Sequence, residues 1–210
     1  MRRLKQLTAV VPALALLCLM SASARAQAAQ DEEGTGAAES AAVKQLTSRD
    51  PLVRQRGAEE LARLEATGQR RLVEGYRLQE KNARVRLALD WALFRMGKAE
   101  ALLTVIRALD SQRYNQAHEY LAALGDPEPL YYFLDKMNGN TQAMLLEVLA
   151  RIGDAGTLER LKPFAESFDP KVAEAAAFAA REITRRLDRQ PAQNTSTRPR
   201  QVGKEEAGTP

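Results

Sequence analysis

The chain has 210 residues and a nominal net charge of +4, from 31 Lys and Arg against 27 Asp and Glu. Four of the bases, Arg2, Arg3, Lys5 and Arg25, stand in the first 26 residues, where there is no acid, so the remainder is balanced. That balance excludes a general polyanion binder, whose affinity rests on surplus Lys and Arg facing phosphates.

The N-terminus explains the excess. Met1 to Lys5 is basic, Leu7 to Met20 is an apolar run interrupted by Thr8 and Pro12, and Ser21 to Ala28 supplies small residues with Ala24-Arg25-Ala26 and Ala26-Gln27-Ala28 as cleavage sites. This predicts a secretory signal peptide over 1–26, with cleavage possible as late as 28. The apolar run is shorter than the ~20 residues that cross a bilayer, so no integral membrane anchor is expected after cleavage. Leu17 precedes Cys18 where a lipidation signal requires a small residue. The expected product is exported, periplasmic or secreted. It has lost its one cysteine, and with it any disulfide, thiolate nucleophile or cysteine metal ligand. Residues 27–40, largely QAAQDEEGTGAAE, predict a flexible acidic leader.

From about Ala41 to Leu187 the apolar residues recur at three- and four-residue spacing, and no stretch alternates with period two for long. Helices throughout follow, with no sheet. Gly97, Gly125 and Gly153 repeat every 28 residues. Four positions before each stand Leu93, Leu121 and Leu149; eight before stand Leu89, Ala117 and Leu145. Val53, Gly57, Leu61 and Leu64 extend the register at the start, and Val172, Ala176, Ala180 and Ile183 at the end. These five copies of one helix alternate with partner helices predicted over Ala42 to Thr47, Gly68 to Gln79, Lys98 to Leu109, Asp126 to Met137 and Thr157 to Ser167. A pair of that size cannot bury its own apolar face, so the expected fold is all-α, an α-solenoid of about five stacked helix pairs. Residues 188–210 lack apolar periodicity and predict a disordered tail, which carries the sequon Asn194-Thr195-Ser196.

Asp50 to Leu61, DPLVRQRGAEEL, and Asn82 to Leu89, NARVRLAL, resemble the second helix of short HEAT repeats. Leu149 to Leu158 and Asp169 to Ala176 are similar to the same family, especially the short type first associated with bilin lyases. The resemblance covers roughly 41–187. It implies a binding scaffold whose second helices line a concave face. It also implies a ladder between a turn Asp or Asn and a helix Arg; Arg54 and Arg86 match, whereas Ala117, Gln142 and Ala173 depart from it. A repeat fold does not specify a substrate.

Little in the sequence suggests catalysis, and the expectation is a non-enzyme without metal or cofactor. His118 is the one histidine, and no His, Asp or Glu spacing resembles a metal site or a triad. Asp126, Glu128, Asp154 and Asp169 fall at helix starts, where capping explains them. Leu130 to Leu134, LYYFL, reads as core with one half-exposed ring, and Tyr76, Tyr114 and Tyr120 are too scattered for a stacking platform.

The surface is more informative. Lys44 to Arg107 holds 14 bases and 8 acids, and Ala108 to Ala180 holds 6 bases and 11 acids. Such polarity suits an oppositely charged protein partner, or head-to-tail self-association. On the helix of Arg84 to Gly97, Val85, Leu89, Leu93 and Met96 form the core stripe, and Leu87, Trp91 and Phe94 point the opposite way. Other copies are polar there, for example Gln55 and Glu59, or Asn115 and Glu119. A helix apolar all round is either buried on both sides or presents a binding face. The family resemblance places this face in the concave groove, which makes Leu87, Trp91 and Phe94, bordered by Glu59 and Glu119, the expected partner-binding residues, with Trp91 as anchor. The expected function is a scaffold for protein–protein interaction; the alternative is an accessory subunit to an enzyme or lyase-like activity.

Overall fold

The computed structural model describes residues 34–189. The predicted signal peptide, Cys18, the sequon, the first half of the predicted leader and most of the predicted tail lie outside the described residues. Among the described residues there are ten α-helices, three short 3₁₀ turns and no strand. They fall into two compact units that divide between Leu124 and Gly125. The first contains α1 (34–46), α2 (Pro51–Arg63), α3 (Arg70–Gln79), α4 (Ala83–Arg95), α5 (Leu102–Arg107) and α6 (Tyr114–Ala122). The second contains α7 (Glu128–Leu134), α8 (Gly139–Ile152), α9 (Ala155–Ala165) and α10 (Pro170–Arg189).

Short polar side chains start five of these helices by accepting from amides that the first turn leaves without intrahelical partners. Asp50 accepts from Leu52 N at 2.8 Å, and Asn82 from Arg84 N at 3.0 Å. In the second unit Asp126 accepts from Glu128 N at 3.0 Å and Asp169 from Lys171 N at 3.0 Å. Asp154 and Thr157 form a reciprocal capping box, with Thr157 N donating to Asp154 Oδ1 at 2.9 Å and Asp154 N to Thr157 Oγ1 at 2.9 Å. The carboxylates that might have been read as acid–base pairs are therefore caps, except Glu128, which opens α7 and lies 3.9 Å from Arg160.

Helix α1 corrects the predicted leader, because residues 34–40 are already helical. Ala37, Ala38, Ala41 and Ala42 favour helix intrinsically, and tertiary packing holds the end, where Ala42 and Leu46 are buried. Gly57 on α2 is what lets the two helices approach. A Cβ there would stand 2.7 Å from the Ala42 carbonyl oxygen and 2.8 Å from Gln45 Cβ.

The core follows the repeat register. Gly57, Leu89, Ala117, Leu145 and Ala176, one from each copy, are all buried. In the first unit α4 is central, packed against α2, α3, α5 and α6; in the second, α10 packs on α8 and α9, and α7 on α8. The glycine spacing has two physical origins. Gly97 and Gly125 end their helices in the left-handed region, at φ 90° and 72°. Gly153 has φ −61°, and is required for another reason: a Cβ would stand 2.6 Å from Leu149 O and 2.7 Å from Ile183 Cδ1.

Candidate functional site

The apolar outer face of α4 is covered. From Leu87 to Leu93 every residue is buried, and Trp91 retains 6% exposure. Tyr120 of α6 lies over the indole, with ring centroids 5.4 Å apart and planes 9° from parallel. Phe94, half-buried, packs at 5.6 Å on the same ring, and the Arg95 guanidinium stands 5.7 Å from its centroid. Beyond the indole, the Tyr120 hydroxyl reaches α2 and donates to Glu59 Oε1 at 2.5 Å. Gln116 Nε2 donates to that hydroxyl at 2.7 Å, and Gln55 Nε2 donates to Glu59 at 2.8 Å. Burial, reinforced by the hydrogen bond to Glu59, pushes the Tyr120 phenol far above its ordinary range. It is a neutral donor throughout the working pH range.

This corrects the expectation of an open Leu87, Trp91 and Phe94 face with Trp91 as anchor. Leu87 and Trp91 are interior, Phe94 is partly so, Glu59 is tied to Tyr120, and Glu119 is exposed. The helical register gave Asn115, Glu119 and Ala122 the equivalent places in their copy, with Glu119 one residue away from the tyrosine that closes the face. Close by, the Gln116 amide also donates to Arg84 O at 3.0 Å, while its own oxygen is buried without a partner.

The arginines bond otherwise than in the implied ladder, to a glutamate and to backbone carbonyls rather than to a turn Asp or Asn. Arg54 pairs with Glu80 at 2.7 and 3.0 Å and donates to the carbonyls of Ser48 and Arg49. This holds the Glu80 carboxyl below its usual range. Gln142, which the motif comparison counted as a gap, donates to Leu134 O at 2.9 Å and so serves the end of α7. Arg186 on α10 donates to the carbonyls of Ala150 at 2.9 Å, Arg151 at 2.7 Å and Gly153, where α8 ends. Arg86, at the repeat position of Arg54, makes no ion pair or side-chain hydrogen bond among the described residues.

Arg86 instead lines a cleft of about 220 Å³ within the first unit, between α4, α5 and the turn leading into α6. Ala83, Leu87 and Ala108 supply apolar wall; Arg86, Arg107, Arg113 and Thr104 supply polar edge. Asp90 also lines it, 6% exposed, and receives a hydrogen bond from Arg77 Nε at 2.6 Å. Burial pushes the Asp90 carboxyl upward against the opposing pull of Arg77. These arginines lie on separate elements, so no contiguous motif announced them, and the motif had assigned Arg86 to the ladder instead.

Elsewhere, Leu130, Tyr131 and Leu134 are buried, Phe133 is half-buried and Tyr132 is exposed. The His118 ring rests on Tyr114 at 5.5 Å. Among the described residues no three His, Cys, Asp or Glu side chains form a metal-binding group, and no helix is long and apolar enough to cross a membrane.

The fold class these observations define is an all-α protein built from packed helices. No family model and no curated protein matches the chain. Among solved structures it is similar to the crystal structure of an engineered protein from the Northeast Structural Genomics Consortium, at 22% identity, with 76% of this chain and 83% of that one covered, and a TM-score of 0.34.

Proposed function

We propose that the chain is a non-enzymatic, exported scaffold of the HEAT-repeat type, a solenoid of about five helix pairs that binds another protein through its second helices. The observation that carries this reading is one face assembled from three helices far apart in sequence. Glu59 of α2, Trp91 and Phe94 of α4 and Tyr120 of α6 meet there in stacked rings and a 2.5 Å hydrogen bond. Repeat arrays act by holding such a face in fixed shape. In this reading Trp91 is foundation rather than anchor. The partner meets the layer above it, the exposed edge of Phe94 with Arg95, and the charged border of Glu59 and Glu119 orients the encounter.

Affinity capture from the envelope fraction tests the proposal, with wild type set against the separate variants Glu119→Arg and Phe94→Gln. The expected result is one protein retained by the wild type and lost by both variants, with Glu119→Arg melting as the wild type does and Phe94→Gln, which gives up its contact with Trp91, melting lower but still cooperatively. Identical retention by all three chains overturns the assignment of this face.

A further inference from the structure

We infer that the cleft between α4, α5 and the turn before α6 is a binding site for a small oxyanion, the phosphate or carboxylate group of a ligand. Its volume of about 220 Å³ sets the scale. A water occupies ~30 Å³ of liquid and drug-sized sites begin near ~300 Å³, so the cleft has room for one oxyanion group with a few waters.

Its charge sets the sign. Arg86, Arg107 and Arg113 reach the cleft from α4, α5 and the residue preceding α6. None of the three is in an ion pair among the described residues. Asp90 is the one acid lining the cleft, and Arg77 already holds it at 2.6 Å. Asp90 feels Arg86 as well as Arg77, yet three arginines against one acid leave the cleft a surplus of positive charge, and guanidinium forks match the planar or tetrahedral oxygens of carboxylate and phosphate.

The repeat supplies a second argument. In the first copy the corresponding arginine, Arg54, spends its donors on Glu80, Ser48 O and Arg49 O. Arg86 has no such structural employment, and instead faces a space that two more arginines share. Like charges sharing a cleft repel unless a counter-charge sits between them. A bound oxyanion supplies it.

Calorimetric titration of the full chain tests this, with sodium phosphate in one arm and a capped tri-glutamate peptide in the other, each against sodium chloride of equal ionic strength. Saturable binding at one site per chain is expected in at least one arm. Phosphate alone identifies a free anion as the ligand; preference for the peptide identifies an acidic segment. Arg107→Gln weakens binding about tenfold, as expected for one charge-assisted contact. Arg107→Gln with Arg113→Gln removes saturation, and Arg84→Gln, an exposed arginine outside the cleft, leaves it unchanged. Arg107 is exposed, so its single variant keeps the fold, which circular-dichroism melting verifies. Absence of saturable binding in both arms, or equal loss with Arg84→Gln, overturns the site. No partner protein enters the experiment, so its outcome is independent of the capture test above.

Discussion

Trp91 lies between Tyr120 and Phe94 at 6% exposure, so its truncation opens a cavity that neighbouring rings cannot refill. Trp91→Ala is expected to lower the unfolding free energy by ~3–5 kcal/mol in a denaturant titration, as for other buried aromatics. Tyr120→Phe keeps the stacked ring and removes a hydroxyl shared by Glu59 and Gln116, for an expected loss of ~1–3 kcal/mol. The same hydroxyl has a pH signature. Its folded-state pKa is raised, so its contribution is present below the unfolded tyrosine value of ~10 and is lost as pH rises beyond it. Spectrophotometric titration should accordingly show the Tyr120 phenol ionising only when the chain unfolds in alkali, and Tyr120→Phe should remove that component while leaving the one from Tyr131, whose phenol burial also pushes up. A phenol that titrates with the exposed tyrosines would contradict the buried hydrogen bond.

Arg186 shows how one side chain can finish another helix. It fills the carbonyl end of α8 at Ala150, Arg151 and Gly153, and Arg186→Ala leaves those acceptors to water or to nothing. A loss of ~1–3 kcal/mol is expected, with amide exchange accelerating first at the end of α8. At the start of α9, Asp154→Ala removes the capping box at a cost of ~0.5–2 kcal/mol. The bonds from Thr157 lower the Asp154 pKa, so that contribution is present above the ordinary carboxylate range and fades as pH falls through the folded value. These elements also show what the sequence made legible. The helical periodicity, the caps at Asp126, Asp154 and Asp169 and the buried stripe from Gly57 to Ala176 were readable because they depend on neighbours two to eight residues away. The all-round apolarity of α4 was readable too, but its meaning was not. Burial or exposure depended on Tyr120, a residue of another helix whose reach to Glu59 no local pattern encodes. Arg54 was suggested by its motif, whereas Arg186 and Gln142 took similar work at positions where the motif had predicted nothing.

Across the whole molecule, charge is less polarised than the sequence windows implied, because the units divide the residues differently. The described part of the first unit has 15 bases and 11 acids, and that of the second has 9 bases and 11 acids, α10 returning Arg181, Arg185, Arg186 and Arg189 to the acidic half. The pairs themselves also differ. Arg63–Glu60, Arg160–Glu128, Lys162–Glu159 and Arg185–Glu182 are largely exposed on at least one side. Arg54–Glu80 and Arg77–Asp90 instead bury their carboxylates, which keep 9% and 8% exposure. Exposed pairs are worth ~0–1 kcal/mol each and are screened as the Debye length shrinks from ~10 Å at 0.1 M salt to ~3 Å at 1 M. The buried carboxylates are screened far less. Raising salt across that range should therefore move the unfolding free energy by less than ~1 kcal/mol, and Glu159→Gln should be nearly silent at either end. Glu80→Gln removes the charge that pairs with Arg54 and one of the two acceptor oxygens that Arg54 and the Asn82 backbone amide share, so it should cost more than Glu159→Gln and keep most of that cost in high salt. Denaturant titrations of the two variants at low and high salt measure the difference. If screening erased the Glu80→Gln effect, the Arg54–Glu80 pair would be a surface contact rather than the link that ties the start of α2 to the end of α3.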